Sequence, residues 1–100
     1  MQRNENRVGA ICAIAGIALL FVGTYLHPQR ADPNDALAAF AECAASQLWV
    51  TNHLLQLAGF VLIGAALLLL ARELEAGSAR QPARIAGGGV IASVALAAAL

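Results

Sequence analysis

The chain contains no lysine, and its basic side chains are six arginines scattered from Arg3 to Arg84. Six acidic residues balance them, so no positive patch forms and a nucleic-acid partner is excluded. Charge of either sign is scarce: 12% of residues carry it, against about a quarter in a soluble domain whose surface must be wetted. Cysteine is limited to Cys12 and Cys43, with no CxxC or CxxCH spacing, which removes the usual thiol-redox and covalent-haem signals. Two histidines are too few for zinc, which usually takes three or four protein ligands. The run Gly87-Gly88-Gly89 lacks a preceding strand and a following lysine, so it is no phosphate loop. Ser46 and Ser93 have no base at workable spacing, and Asp32 and Asp35 fit a helix start better than a carboxylate pair. No ionisable residue lies deep in an apolar stretch, which argues against a proton-coupled transporter. These absences predict a protein that is not an enzyme, and they call for no cofactor and no metal.

What is present is apolar and comes in blocks. Sixty per cent of residues are hydrophobic, and the stretch WVTNHLLQLAGFVLIGAALLLLAREL, Trp49–Leu74, organises the rest. Residues 57–71 contain no polar or charged side chain. About 20 helical residues cross a hydrocarbon core of roughly 30 Å, so residues 50–72 form a span. Residues 8–26 are a second apolar segment of span length, and residues 83–100 a third. A cleaved signal peptide is the alternative for the first, but its apolar region usually runs about 7–15 residues and ends in a small-x-small site. Here the segment is longer and ends TYLHPQR. An open sheet edge does not survive in lipid, and no ten-residue alternation suggests a barrel. The expected fold is therefore all-α, a polytopic transmembrane helical bundle in one domain, residues 1–100. The chain stops at Leu100 inside an apolar run, which reads as a fragment of a protein with four or more spans.

The connections have a pattern of their own. Pro28 ends the first helix, because the residue before proline is pushed away from the α region. Asp32-Pro33-Asn34-Asp35 reads as a helix start, with Asp32 as N-cap, Pro33 at the first position and Asp35 near the dipole's positive end. It opens a short amphipathic interfacial helix over residues 33–46. Asp35, Glu42 and Ser46 fall on one side; Leu37, Phe40, Ala44 and Leu48 fall on the other. Its polar face is acidic, so docking on its own bundle is the expectation rather than attraction to anionic lipid. Further on, Gly77 is expected in the left-handed conformation after the second span, and Pro82 at the first position of the third.

Small residues mark the faces that pack. Gly9, Ala13, Gly16, Leu20, Gly23 and His27 hold one narrow stripe of the first span, and Gly88, Ala92, Ala95 and Ala99 one face of the third. Small residues let membrane helices approach closely without a hydrophobic driving force. Arg3, Arg7, Arg72, Arg80 and Arg84 fall at one membrane side and Arg30 alone at the other, which predicts a cytoplasmic N-terminus. Cys12 and Cys43 are then at opposite membrane faces and cannot pair. The expected location is the inner (plasma) membrane, multi-pass.

The chemical candidates gather at the outer face. His27 ends the small stripe, while Trp49, His53, Gln56 and Phe60 share one side of the second span. Antiparallel packing should bring the imidazoles within about one helix diameter, on the order of 10 Å. One reading is a pocket of His27, Trp49, His53 and Gln56 for haem, a transition metal or a quinone. The other is that the imidazoles hydrogen-bond loop carbonyls and hold the Pro28 turn, with Gln56 bonding across helices.

The series His27-Pro28, Asp32-Pro33, Ala39-Phe40, Trp49, His53 and Gln56, followed by a long apolar helix, resembles uncharacterised bacterial multi-helix integral membrane proteins. The likeness covers residues 8–100 and implies a membrane location with nothing catalytic. The alanine, arginine and leucine bias is that of a high-GC genome. Two function classes remain: a structural or interaction subunit, as a homo-oligomer or with other membrane subunits, and a membrane ligand-binding protein. The lipid bilayer is a partner in either case.

Overall fold

The computed structural model describes residues 2–99, which hold four α-helices and no strand. They are α1 (Gln2–Leu26), α2 (Ala36–Ala45), α3 (Trp49–Leu74) and α4 (Arg80–Ala99). Three of them, α1, α3 and α4, are long and apolar enough to cross a membrane. The all-α helical bundle expected from the sequence is what forms. Residue 100, where the third span and the fragment reading end, lies outside the described residues.

The α3 helix is the axis, and both α1 and α4 pack against it. Glycine sets the α1–α3 distance. A Cβ on Gly16 would lie 2.8 Å from the carbonyl oxygen of Gly59, and a Cβ on Gly59 would lie 2.7 Å from that of Gly16. Backbone meets backbone at this crossing, as small residues allow in apolar helices. One helix segment further on, a Cβ on Gly23 would meet Gln56 Cγ at 2.7 Å and the Asn52 carbonyl at 2.9 Å. By Gly9 the approach has loosened to an ordinary 3.8 Å from Leu69 Cδ1. The small stripe of the first span therefore faces α3, tightest from Gly16 to Gly23.

The α4 helix uses a different face from the expected one. Gly88 and Gly89 meet nothing within 4 Å, and Ala92, Ala95 and Ala99 are exposed. The packed positions are Ala83, Gly87, Val90 and Val94, with Val94 Cγ2 filling the place a Cβ on Gly64 would need. Valine methyls against a glycine gap give dispersion contacts that an all-small face cannot supply.

Helix ends also depart from expectation. Polar residues from Gln2 to Arg7 continue α1 beyond its apolar part, with Glu5 in the first turn where negative charge is favoured. The α2 N-cap is Asp35, not Asp32: its side chain accepts from the Ala38 N–H at 3.1 Å. Asp32 instead closes a turn around Pro33, accepting from the Asn34 N–H at 2.9 Å. Both aspartates satisfy the N-cap rule on paper, and the turn before the helix selects the later one. No glycine has positive φ, so Gly77 is not left-handed; α3 closes through Glu75 N–H to the Ala71 carbonyl. Pro82 is the third residue of α4, still within the first turn, where a missing N–H leaves no bond unmade.

The α2 helix does not dock its apolar side on the bundle. Leu37 and Phe40 are 85% and 74% exposed, and α2 has no buried residue. Its polar edge turns inward instead. Glu42 accepts backbone N–H bonds from Arg30 at 2.9 Å and Ala31 at 2.6 Å, so the α1–α2 connection is hung on a carboxylate.

Candidate functional site at the histidine end

At the end of the bundle where α1 stops and α3 starts, the rings of His27, Trp49 and His53 gather. Ring centroids lie 5.3 Å apart for His27 and Trp49, 5.3 Å for His27 and His53, and 4.0 Å for Trp49 and His53. Two features of the sequence create this. Trp49 and His53 are four residues apart and share a side of α3. His27 follows the last glycine of the α1 stripe, so the close approach at Gly23 delivers it to the same side. Co-location at the expected depth is therefore a result of helix packing.

Each imidazole is fixed through Nδ1. His27 Nδ1 lies 2.9 Å from the Pro28 carbonyl, and His53 Nδ1 lies 2.7 Å from the Trp49 carbonyl. A carbonyl only accepts, so Nδ1 is the protonated nitrogen in both rings and donates. An uncharged ring then keeps its lone pair on Nε2. Gln56 is spent on a helix–helix bond: Nε2 donates to Thr24 Oγ1 at 3.4 Å. The expected loop carbonyl is met by His27 alone, at Pro28; His53 bonds a carbonyl of its own helix, and the interhelical Gln56 bond is in place.

Space around the cluster is divided. A recess of about 620 Å³ is lined by Tyr25, His27, Arg30 and Glu42 among others, and Trp49, His53 and Gln56 are not in its wall. Trp49 lines a separate recess of about 410 Å³ with Phe40 and Cys43. Phe60, on the expected shared side, is 46% exposed. Among the described residues, no three His, Cys, Asp or Glu side chains converge as a metal-binding group. His27 Nε2 and His53 Nε2 are what the site offers a metal.

Two roles in this region, those of Asn52 and Glu42, were not read from the sequence. Asn52 is fully buried; its Nδ2 donates to the Leu26 carbonyl at 3.4 Å, meeting one orphan carbonyl at the end of α1. Asn52 Oδ1 has no partner among the described residues. The signal was present, since position 52 lies between Trp49 and Gln56 at helical spacing, on the face facing α1. Glu42 is the second. The Arg30 N–H, then the Ala31 N–H, hold its carboxyl below the ordinary value of 4.5, because both bonds favour the charged form.

Fold and site together define a small membrane-type helical bundle with polar groups at both ends, the rings and Glu42 at one and most of the arginines at the other. No protein-family model, no curated protein and no solved structure matches the chain.

Proposed function

We propose that the chain is a multi-pass protein of a bacterial plasma membrane, acting as a structural or interaction subunit and not as an enzyme. One observation carries this reading: the bundle turns its large apolar side chains outward. Ile11, Ile14 and Ile17 of α1 are 61–71% exposed, and Ile85, Ile91 and Leu96 of α4 are 60–71% exposed. Water would penalise such faces at roughly 25 cal/mol per Å² of apolar area, whereas lipid or a neighbouring helix would not. The interior meanwhile is occupied by close glycine contacts and contains little besides. The cytoplasmic N-terminus rests on the arginines: antiparallel α1 and α3 put Arg3, Arg7, Arg72, Arg80 and Arg84 at one end, opposite Arg30. Asn6, its amide nitrogen assigned toward α3, donates to Glu73 at that same end. The resemblance of the His27-to-Gln56 series to bacterial integral membrane proteins points the same way.

A photo-crosslinking residue placed at Ile14 or Ile85, both outside any recess, in native membranes tests the subunit reading. A discrete protein adduct, either the dimer or one other membrane protein, is expected. Adducts to lipid alone at both positions would contradict it.

A second reading is favoured by one observation, the two tied Nδ1 atoms. This tautomer leaves both Nε2 atoms for a ligand, as second-shell carbonyls do around metal-binding histidines. A membrane ligand-binding protein would then hold haem, a metal or a quinone against His27 and His53, with Trp49 and Gln56 beside them. An absorbance spectrum of the purified protein separates a haem protein from the rest.

A further inference from the structure

On the side of α3 between α1 and α4, an open groove begins at the arginine end. This first part, about 570 Å³, has Cys12 of α1 and Ile91 of α4 in its walls and Leu68 of α3 at its base. Arg72 and Arg84 stand at its mouth. A second recess of about 390 Å³ shares Leu68 and Ile91 with it and continues along the α3–α4 seam to Val61 and Val94, lined by apolar residues only. From Arg84 to Val94 is ten residues, or about 15 Å at the helical rise. Half of a roughly 30 Å hydrocarbon core is the same length. The groove therefore has the depth of one leaflet, with charge at the headgroup level and none below.

The arginines are available. Arg84 Nε lies 3.9 Å from Glu75 Oε1, a long contact, and its side chain is 66% exposed. Arg72 is exposed and has no ion pair among the described residues. One glutamate beside two guanidiniums leaves a net positive mouth, and guanidinium matches phosphate oxygens in a bidentate fork.

We propose that this groove seats one anionic phospholipid, a phosphodiester headgroup without a compensating amine. Arg72 and Arg84 hold the phosphate, and an acyl chain lies along the α3–α4 seam. The inference rests on the membrane-spanning reading above.

Native mass spectrometry of the detergent-purified chain, offered equal phosphatidylglycerol and phosphatidylcholine, tests it. One phosphatidylglycerol should be retained, favoured by about fivefold for each arginine engaged. The double variant Arg72→Gln/Arg84→Gln should bring its retention down to that of phosphatidylcholine. Gly88→Leu projects a side chain into the groove, where a Cβ meets nothing within 4 Å, and should lower retention of both lipids. Both variants leave the Gly16–Gly59 crossing untouched, so an unchanged melting temperature reports an intact fold. Equal retention of the two lipids by the unaltered chain, or a preference that survives loss of both arginines, would overturn the proposal. Recovery of the chain in the aqueous fraction without detergent would overturn the membrane reading itself, and this inference with it.

Discussion

Gly16 and Gly59 tolerate no side chain, because each sits under 3 Å, by Cβ, from the other's carbonyl oxygen. Gly16→Leu must separate α1 from α3 or shift both backbones. Overpacking of this kind costs typically about 1–3 kcal/mol, and here rigid backbone rather than a flexible tip opposes it. A clear drop in detergent melting temperature is expected, while Ile14→Ala, at a position 71% exposed, should leave it nearly unchanged. Equal drops would remove the crossing as the main contact. Asn52 gives the opposite kind of prediction. Its Oδ1 is a buried acceptor without a partner among the described residues, and its bond to Leu26 is long at 3.4 Å. Such interhelical bonds average about 0.6 kcal/mol in membrane proteins. Replacing Asn52 by leucine removes the unpartnered Oδ1, a gain, and takes the one donor from the Leu26 carbonyl, a loss, so the two largely offset. Asn52→Leu should therefore change stability by less than about 1 kcal/mol. A loss several times larger, read from the same melting curves, would mean that Oδ1 does hold a partner, such as an ordered water.

The α2 helix is governed by one carboxylate rather than by its apolar side. Glu42 has a folded value below 4.5, so its contribution is fully present above that ordinary value and is lost as pH falls through the lower folded one. In micelle NMR, the Arg30 and Ala31 amide protons should titrate with Glu42 in this acidic window. Glu42→Gln should abolish that titration and shift both amides at neutral pH. Amides that titrate unchanged in the variant would break the assignment. This element also shows what a sequence can and cannot display. Residues 33–46 carried the right amphipathic pattern and nearly the right helix, yet the pattern does not say which side turns to the protein. Two N–H groups at Arg30 and Ala31 decide that, and their positions depend on the turn after Pro28. The same limit explains Asp35 for Asp32 and Gly87 for Gly88: local rules allow either neighbour, and tertiary contact chooses. Gly16 and Gly23 were readable because their spacing is a property of α1 alone. Gly59 and Gly64 stood equally plain in the longest apolar run, but their role appears only with the partners they face. The His27–His53 approach was readable because neighbouring antiparallel helices of similar length match their ends. The Nδ1 bonds to Pro28 and Trp49 were legible as a type of contact, and which carbonyls accept was not.

At the scale of the molecule, α1 and α4 packed on α3, together with α2 and the connections, make a rod 52 Å long, longer than the roughly 40–45 Å of a bilayer with its headgroups. If the bundle spans, as proposed, that length would put the arginine end and the histidine end in water on opposite sides, and the two free cysteines report on them. Cys43 lies in α2 at the histidine end; Cys12 lies in α1 fifteen residues before His27, about 22 Å from that end at the helical rise and toward the arginine end. Spheroplasts treated with a membrane-impermeant thiol reagent test the spanning bundle and its orientation in one step. Labelling of Cys43 alone, with Cys12 reached only after denaturation, is the result a spanning bundle with a cytoplasmic N-terminus predicts. Cys43 labelled only after lysis would reverse the orientation, and Cys12 labelled in intact spheroplasts as readily as Cys43 would contradict a helix buried across the membrane.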